Sequence, residues 1–172
     1  MSVLPDWRIH ILCQGGAITP FDANFVNPAS LDIRLGENIF EEHEEVGLVA
    51  NNISKHTKED PYKLCPNEFI LAESMELFNI PNNISCQFAL KSSMARMGLE
   101  HSMAGWIDPG FNDSVLTLEL KNALRLGCIN IWPGMRIGQL IFFSMQGSPV
   151  HNYRETGRYN GDKRVTKSKG TL

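Results

Sequence analysis

Between Lys91 and Leu120 the chain gathers residue types that suit a charged, oxygen-rich ligand. The stretch "KSSMAR" puts Lys91, Ser92, Ser93 and Arg96 close together, and cations with hydroxyls are the groups that hold phosphate oxygens. In "AGWIDPGF", Gly105 and Gly110 let backbone N–H groups come close to a ligand. "SVLTLEL" then sets Glu119 between Leu118 and Leu120. In a strand, Leu116, Leu118 and Leu120 face one way and Val115, Thr117 and Glu119 the other. A strand glutamate ordinarily faces solvent. One that faces a substrate pocket can carry protons. The residues alone point to a nucleotide site and stop short of a reaction.

The elements that must position these groups read as short strands. "SLDIRLG" alternates Leu31, Ile33 and Leu35 against Asp32 and Arg34, the pattern of a half-buried strand. "EFILAESMELFNI" reads as two strand pieces. After the turn Pro81-Asn82-Asn83, "ISCQFAL" alternates through Ile84, Cys86, Phe88 and Leu90. "SVLTLEL" and "IGQLIFF" complete a set separated by Gly, Pro and Asn, which predicts a β-sandwich or barrel rather than βαβ units. One short helix is expected in "LPDWRIHILCQGG", with Asp6 as N-cap, Trp7, Ile11 and Leu12 as its apolar residues and Gly15-Gly16 as its stop. "HEEVGLVANNISKHTKEDPYKL" reads as a long surface excursion.

Composition bounds the rest. A chain of 172 residues, 42% hydrophobic and 20% charged, suits one ordinary globular domain, residues 1–172. No stretch supplies the ~20 uninterrupted apolar residues that cross a bilayer, and "MSVLPDWRIHILCQGG" lacks a secretory pattern. A cytoplasmic location without membrane contact is the expectation. Cys13, Cys65, Cys86 and Cys128 are scattered without a C-x-x-C pair, so all four are expected as buried free thiols. A net charge of −3 argues against a general nucleic-acid binder. The tail from about residue 154 carries Arg154, Arg158, Lys163, Arg164, Lys167 and Lys169. It reads either as a solvated, disordered terminus or as a flexible cationic flap that closes over phosphates.

Taken in order, "LPDWRIHILCQGGAITPFD", "NPASLDIRLG", "LCPNEFILAESMELFNIPNNI", "KSSMARMGL", "AGWIDPGF", "LTLEL" and "PGMRIGQLIFF" resemble the dCTP deaminase family of the dUTPase-like superfamily. The resemblance covers nearly the whole chain. It implies a mainly β fold, a distorted barrel or jelly-roll-like sandwich with a short N-terminal helix. It also implies a homotrimer with sites between subunits and a Mg²⁺-nucleotide substrate, dCTP, whose metal rides on the phosphates rather than in a protein cage. The zinc deaminase signature H-x-E…P-C-x-x-C is missing, so no zinc is expected.

By the same resemblance Glu119 is the proton shuttle for attack of water at C4. The Ala104 carbonyl helps fix that water, and Ser92 and Arg96 complete the catalytic surroundings. Lys91, Ser92, Ser93, Met94, Ala95 and Arg96 line the triphosphate and catalytic pocket. Asp108 meets the deoxyribose 3′-hydroxyl, and Thr117 and Leu118 lie beside the pyrimidine edge. Gln139 comes from the later strand, and Tyr153, Arg158 and Asp162 from the tail. The loop of His101 and Met103 is the one the family associates with feedback inhibition by dTTP. Whether dTTP inhibits this chain is left open.

Family members divide into those that release dUTP and those that continue to dUMP and pyrophosphate. Ala104-Gly105-Trp106 and Gln139 resemble the second, bifunctional kind, Gly105 by leaving room beside the substrate and Trp106 by walling the cavity. Trp106 as a core aromatic and Gln139 as a strand polar residue is the plainer alternative. A single-step deaminase, a dUTPase and a non-enzymatic nucleotide-binding trimer are the competing functions.

Overall fold

The computed structural model describes residues 2–170. In chain order the first elements are β1 (Ser2–Val3), α1 (Asp6–Gln14), β2 (Ile18–Thr19), β3 (Val26–Asn27) and β4 (Ser30–His43). They are followed by β5 (Gly47–Asn52), β6 (Tyr62–Leu64), β7 (Phe69–Asn79), β8 (Ile84–Leu90) and α2 (Ser92–Arg96). The rest are β9 (Leu99–His101), β10 (Trp106–Ile107), β11 (Asn112–Asn122), β12 (Ile129–Ile131), β13 (Arg136–Ser144) and α3 (Tyr153–Thr156). The expected mainly β architecture with an N-terminal helix is what forms.

The long strand β4 organises the sheet, whose order is β10-β8-β13-β4-β7-β11-β9. Its first residues pair with β13, Leu31 opposite Leu140, and its later residues pair with β7, Ile39 opposite Ala72. One strand therefore serves two halves that curl over a shared core. Ile33, Leu35 and Ile39 of β4 meet Phe78, Leu118, Leu120, Leu140 and Phe142 there, all fully buried. Each such side chain contributes about 1.5–3 kcal/mol relative to exposure. The alternation holds from Leu118 to Leu120, which enter the core while Glu119 does not, but Leu116, beside the register shift, is only partly buried and lines the cleft with Val115 and Thr117.

Several sequence expectations need correction. The two strand pieces expected in "EFILAESMELFNI" are one strand, β7, which survives a register shift against β11 between Val115 and Thr117. A bulge lets a strand bend and continue. The expected surface excursion contains β5, which forms a hairpin with the far end of β4, and β6, which pairs with β12. Asp32 is not on an outer face. It is 2% exposed and accepts from Lys91 Nζ at 2.5 Å, Asn27 Nδ2 at 2.9 Å and Arg136 Nη1 at 3.2 Å. In α1 the cap position is Pro5, with Asp6 in the first turn, and Ile9 and Cys13 point inward while Trp7 and Ile11 stay exposed.

The cysteine expectation fails for one pair. Antiparallel pairing of Leu64 with Ile129 sets the flanking Cys65 and Cys128 opposite each other, Cα to Cα 4.1 Å, and they form a disulfide. Their 63-residue separation hides this in the sequence. Cys13 and Cys86 are free and buried, as expected. Among the described residues no helix is long and apolar enough to cross a membrane.

Candidate active site

A cleft of about 610 Å³ opens where β11 leaves regular pairing with β7. The register shift strands the Leu116 N–H, and the Ser74 hydroxyl takes its place as acceptor at 2.8 Å. Backbone polar groups inside a fold need such partners. Val115, Leu116, Thr117 and Glu119 then line the opening from β11, with Leu71 and Phe69 beside them on β7. On the far side the Val115 N–H donates to the Asp162 carbonyl at 2.8 Å, so the chain beyond α3 closes that edge.

Glu119 sits partway into the cleft, its side chain 26% exposed. Its Oε2 is buried and accepts no hydrogen bond. His101 Nε2 lies 3.3 Å from that oxygen without being aligned as a donor. The His101 ring is held by β9 pairing with β11 and by the Phe88 ring at 5.0 Å. A buried carboxylate oxygen without a donor is costly unless something else occupies its hydrogen-bonding direction. Ala104 lines the same cleft.

The cleft is also lined by Asp108, whose Oδ1 accepts from the Trp106 indole Nε1 at 3.0 Å. Phe111 and Tyr153 pack there with ring centroids 5.7 Å apart, and the Tyr153 N–H docks α3 on the Pro109 carbonyl at 2.8 Å. Burial raises the Tyr153 hydroxyl above its ordinary pKa of 10.0, which keeps it a neutral donor. Asp162 lines the cleft with its carboxylate held by Lys169 Nζ at 2.8 Å and by the Thr166 hydroxyl at 3.2 Å.

Of the residues singled out in the sequence, the cleft brings together Ala104, Trp106, Asp108, Thr117, Glu119, Tyr153 and Asp162. It does not bring in the "KSSMAR" group. Lys91 is engaged with Asp32, Met94 is buried in the core, and Ser92, Ser93, Ala95 and Arg96 are exposed along α2. Gln139 Oε1 accepts from the Ser30 hydroxyl at 3.1 Å in the other half of the sheet. The Leu118 side chain is in the core, and Arg158 donates to the Gly170 carbonyl.

Gly105 departs from its expected part. A Cβ there would stand 2.4 Å from the Phe88 carbonyl oxygen, so this glycine allows two backbones to touch rather than leaving room beside a substrate. The Gly105 carbonyl in turn accepts from the Phe88 N–H at 2.7 Å. Lys167, one of the cations of the expected flap, lines the cleft, whereas sequence reasoning missed Leu48, Phe111, Tyr159, Thr166 and Ser168 as cleft residues and His101 as the neighbour of Glu119. Only Phe111 gave a signal, as the aromatic closing "IDPGF". Among the described residues no group of three or more His, Cys, Asp or Glu could hold a metal ion.

The curled β-sheet has an architectural parallel. The structure is similar to that of 2′-deoxycytidine 5′-triphosphate deaminase from Agrobacterium tumefaciens, with a TM-score of 0.67 at 22% identity over 81% of this chain. The chain spans about half, 48%, of the length of that protein, and the likeness is one of fold. The sequence pattern described as dCTP deaminase-like matches residues 3–145. The "dCTP deaminase, dUMP-forming" of Streptomyces coelicolor is 39% identical over 170 residues, 90% of this chain and 87% of the relative. The protein of the same name from Thermobifida fusca is 38% identical over 187 residues, 99% of this chain and 93% of the relative. This chain belongs to the dCTP deaminase-like family.

Proposed function

We propose that the protein hydrolyses dCTP at C4 and then cleaves the bond between its α- and β-phosphates. The first step consumes one water and yields dUTP and ammonia. The second consumes another and yields dUMP and pyrophosphate. Family membership and the names of the similar proteins support both steps. The observation that carries the chemistry is the buried, undonated oxygen of Glu119 inside the cleft.

In this reading Glu119 takes a proton from the attacking water and passes it to N3 of the ring, then takes the second proton from the new C4 hydroxyl and gives it to the amine as the C–N bond breaks and the C4 carbonyl forms. The Ala104 carbonyl orients the water. Asp108, steadied by Trp106, accepts from the sugar 3′-hydroxyl, and Thr117 and the Leu118 backbone flank the pyrimidine. The substrate is Mg²⁺-dCTP, its metal carried by phosphate oxygens. Tyr153, Arg158 and Asp162 close the phosphate end from the tail. Trp106 walls the space where the second water attacks, and Gln139, which lies outside its own subunit's cleft, supplies a hydrogen bond to that water or to a phosphate oxygen from a neighbouring subunit.

The protein acts as a homotrimer in which α2 of one subunit faces the cleft of the next. What supports this is that Ser92, Ser93 and Arg96 are exposed and, among the described residues, their side chains make no hydrogen bond or ion pair. From there they, with Lys91, reach a neighbour's phosphates and reacting ring.

Incubating the protein with dCTP and Mg²⁺ while measuring ammonia and pyrophosphate separately tests the reading. Equal release of both, with dUMP as the nucleotide product, is expected. Ammonia alone would leave a single-step deaminase, and pyrophosphate alone would leave a pyrophosphatase acting directly on the triphosphate. Neither product would leave a dUTPase, which would release pyrophosphate once dUTP replaces dCTP, or a nucleotide-binding protein.

A further inference from the structure

Glu73 is a buried carboxylate for which the deamination chemistry has no use. It stands on β7 directly across from Thr117 and is 6% exposed. Its Oε1 accepts from the Asn38 amide Nδ2 at 2.6 Å and the Asn38 N–H at 3.2 Å. Its Oε2 accepts from the Val165 N–H at 2.9 Å. Among the described residues no Lys, Arg or His forms an ion pair with it. A buried charge without a counter-ion is expensive, and here three N–H donors are what offset it.

The surroundings are shaped around this carboxylate. Gly36 faces it, and a Cβ at that position would stand 2.4 Å from Glu73 Cγ. Asn38 carries the link onward, its Oδ1 accepting from Arg164 Nη1 and from Asn52 Nδ2, each at 2.9 Å. Val165 is itself buried at 6% exposure. The next three residues, Thr166, Lys167 and Ser168, line the cleft. The Thr166 N–H reaches Thr117 Oγ1 at 3.5 Å, and Lys167 Nζ lies 5.1 Å from the centre of the Phe40 ring.

We infer that Glu73 is a positioning residue: its carboxylate latches the C-terminal segment at Val165 and so holds Thr166 to Ser168 as one wall of the nucleotide cleft. The inference rests on reading that cleft as the nucleotide site. An ionised acceptor binds a backbone N–H about twice as strongly as a neutral one, which explains a charge at this place. An unlatched segment samples undocked states, and apparent affinity falls with the docked fraction. Saturating nucleotide pulls the segment back, so the effect falls on KM more than on kcat.

The test compares wild type with Glu73→Leu, which removes the acceptor, and Val165→Pro, which removes the donor. If Glu73→Leu fails to fold, Val165→Pro decides alone. Amide hydrogen exchange over residues 163–170 should quicken about tenfold or more in each variant, the loss expected for a hydrogen bond to a charged group, while sheet amides stay protected. KM for dCTP should rise about tenfold with kcat changed less than threefold, and the double variant should be no worse than either single one. Unchanged tail exchange, or faster exchange with an unchanged KM, would overturn the latch. If wild type turns over no dCTP, the functional reading fails, and the exchange measurement still decides whether Glu73 holds the tail.

Discussion

The Trp106 indole donates to Asp108 Oδ1 at 3.0 Å, which ties the residue proposed to wall the second-step water to the residue proposed to grip the sugar. The Trp106 ring is 51% exposed and tilted over Phe143 with centroids 5.9 Å apart, so it is a rim residue and not a core aromatic. Trp106→Arg keeps an N–H donor for Asp108 while removing the indole wall. Pyrophosphate released per ammonia should fall about tenfold or more, because a misplaced in-line water is costly to rate. An unchanged ratio would remove Trp106 from the second step. Gly105→His is a poorer probe, since its Cβ would strike the Phe88 carbonyl.

Truncation before Arg158 removes the Tyr159 packing, the Asp162 carbonyl that accepts from Val115, and the buried Val165. Both kinetic constants should suffer, with KM for dCTP raised about tenfold or more and kcat lowered, because the cleft then stays open to water. The elution volume on gel filtration should match a trimer of the shortened chain. Kinetics equal to wild type would return the tail to a bystander.

Thiol titration checks the disulfide. Native protein without reductant should show no reactive thiol, because Cys13 and Cys86 are buried and burial pushes the Cys13 thiol up to about 12. In denaturant two thiols should titrate, and after reduction all four. Four thiols in denaturant without reductant would mean that Cys65 and Cys128 are not joined.

Burial raises the Glu76 carboxyl above its ordinary value of 4.5, outweighing the Arg34 guanidinium whose Nε is 2.7 Å away. The folded state therefore holds that proton more tightly than the unfolded state. This contribution to stability is full below about pH 4.5 and is lost as pH rises through the raised value. Glu76→Gln should gain in Tm relative to wild type across that window and run parallel above it. Parallel curves throughout would show that the carboxyl is not shifted.

Much of the candidate cleft's lining was legible because its groups lie in short runs with strong local constraints. Alternation alone put Glu119 opposite the buried Leu118 and Leu120, and "AGWIDPGF" kept Ala104, Trp106 and Asp108 together in the cleft. What stayed hidden depends on contacts between distant segments. The Val165 N–H finds Glu73 across 92 residues, and Cys65 finds Cys128 across 63. Asp32 looked solvent-facing because a strand in mid-sheet can bury both faces when a lysine and an arginine arrive from elsewhere. Gly105 misled for a related reason: a glycine signals close approach without saying what approaches.

The central claim is that Glu119 moves the protons of deamination. Glu119→Gln is nearly isosteric, so Tm and nucleotide binding should stay close to wild type while the proton shuttle is lost. General acid–base catalysis is worth about 10²–10⁴-fold, so the rate of ammonia release from Mg²⁺-dCTP should fall at least about a hundredfold. A variant that still binds nucleotide and releases ammonia within about threefold of wild type, far inside that range, would contradict the account.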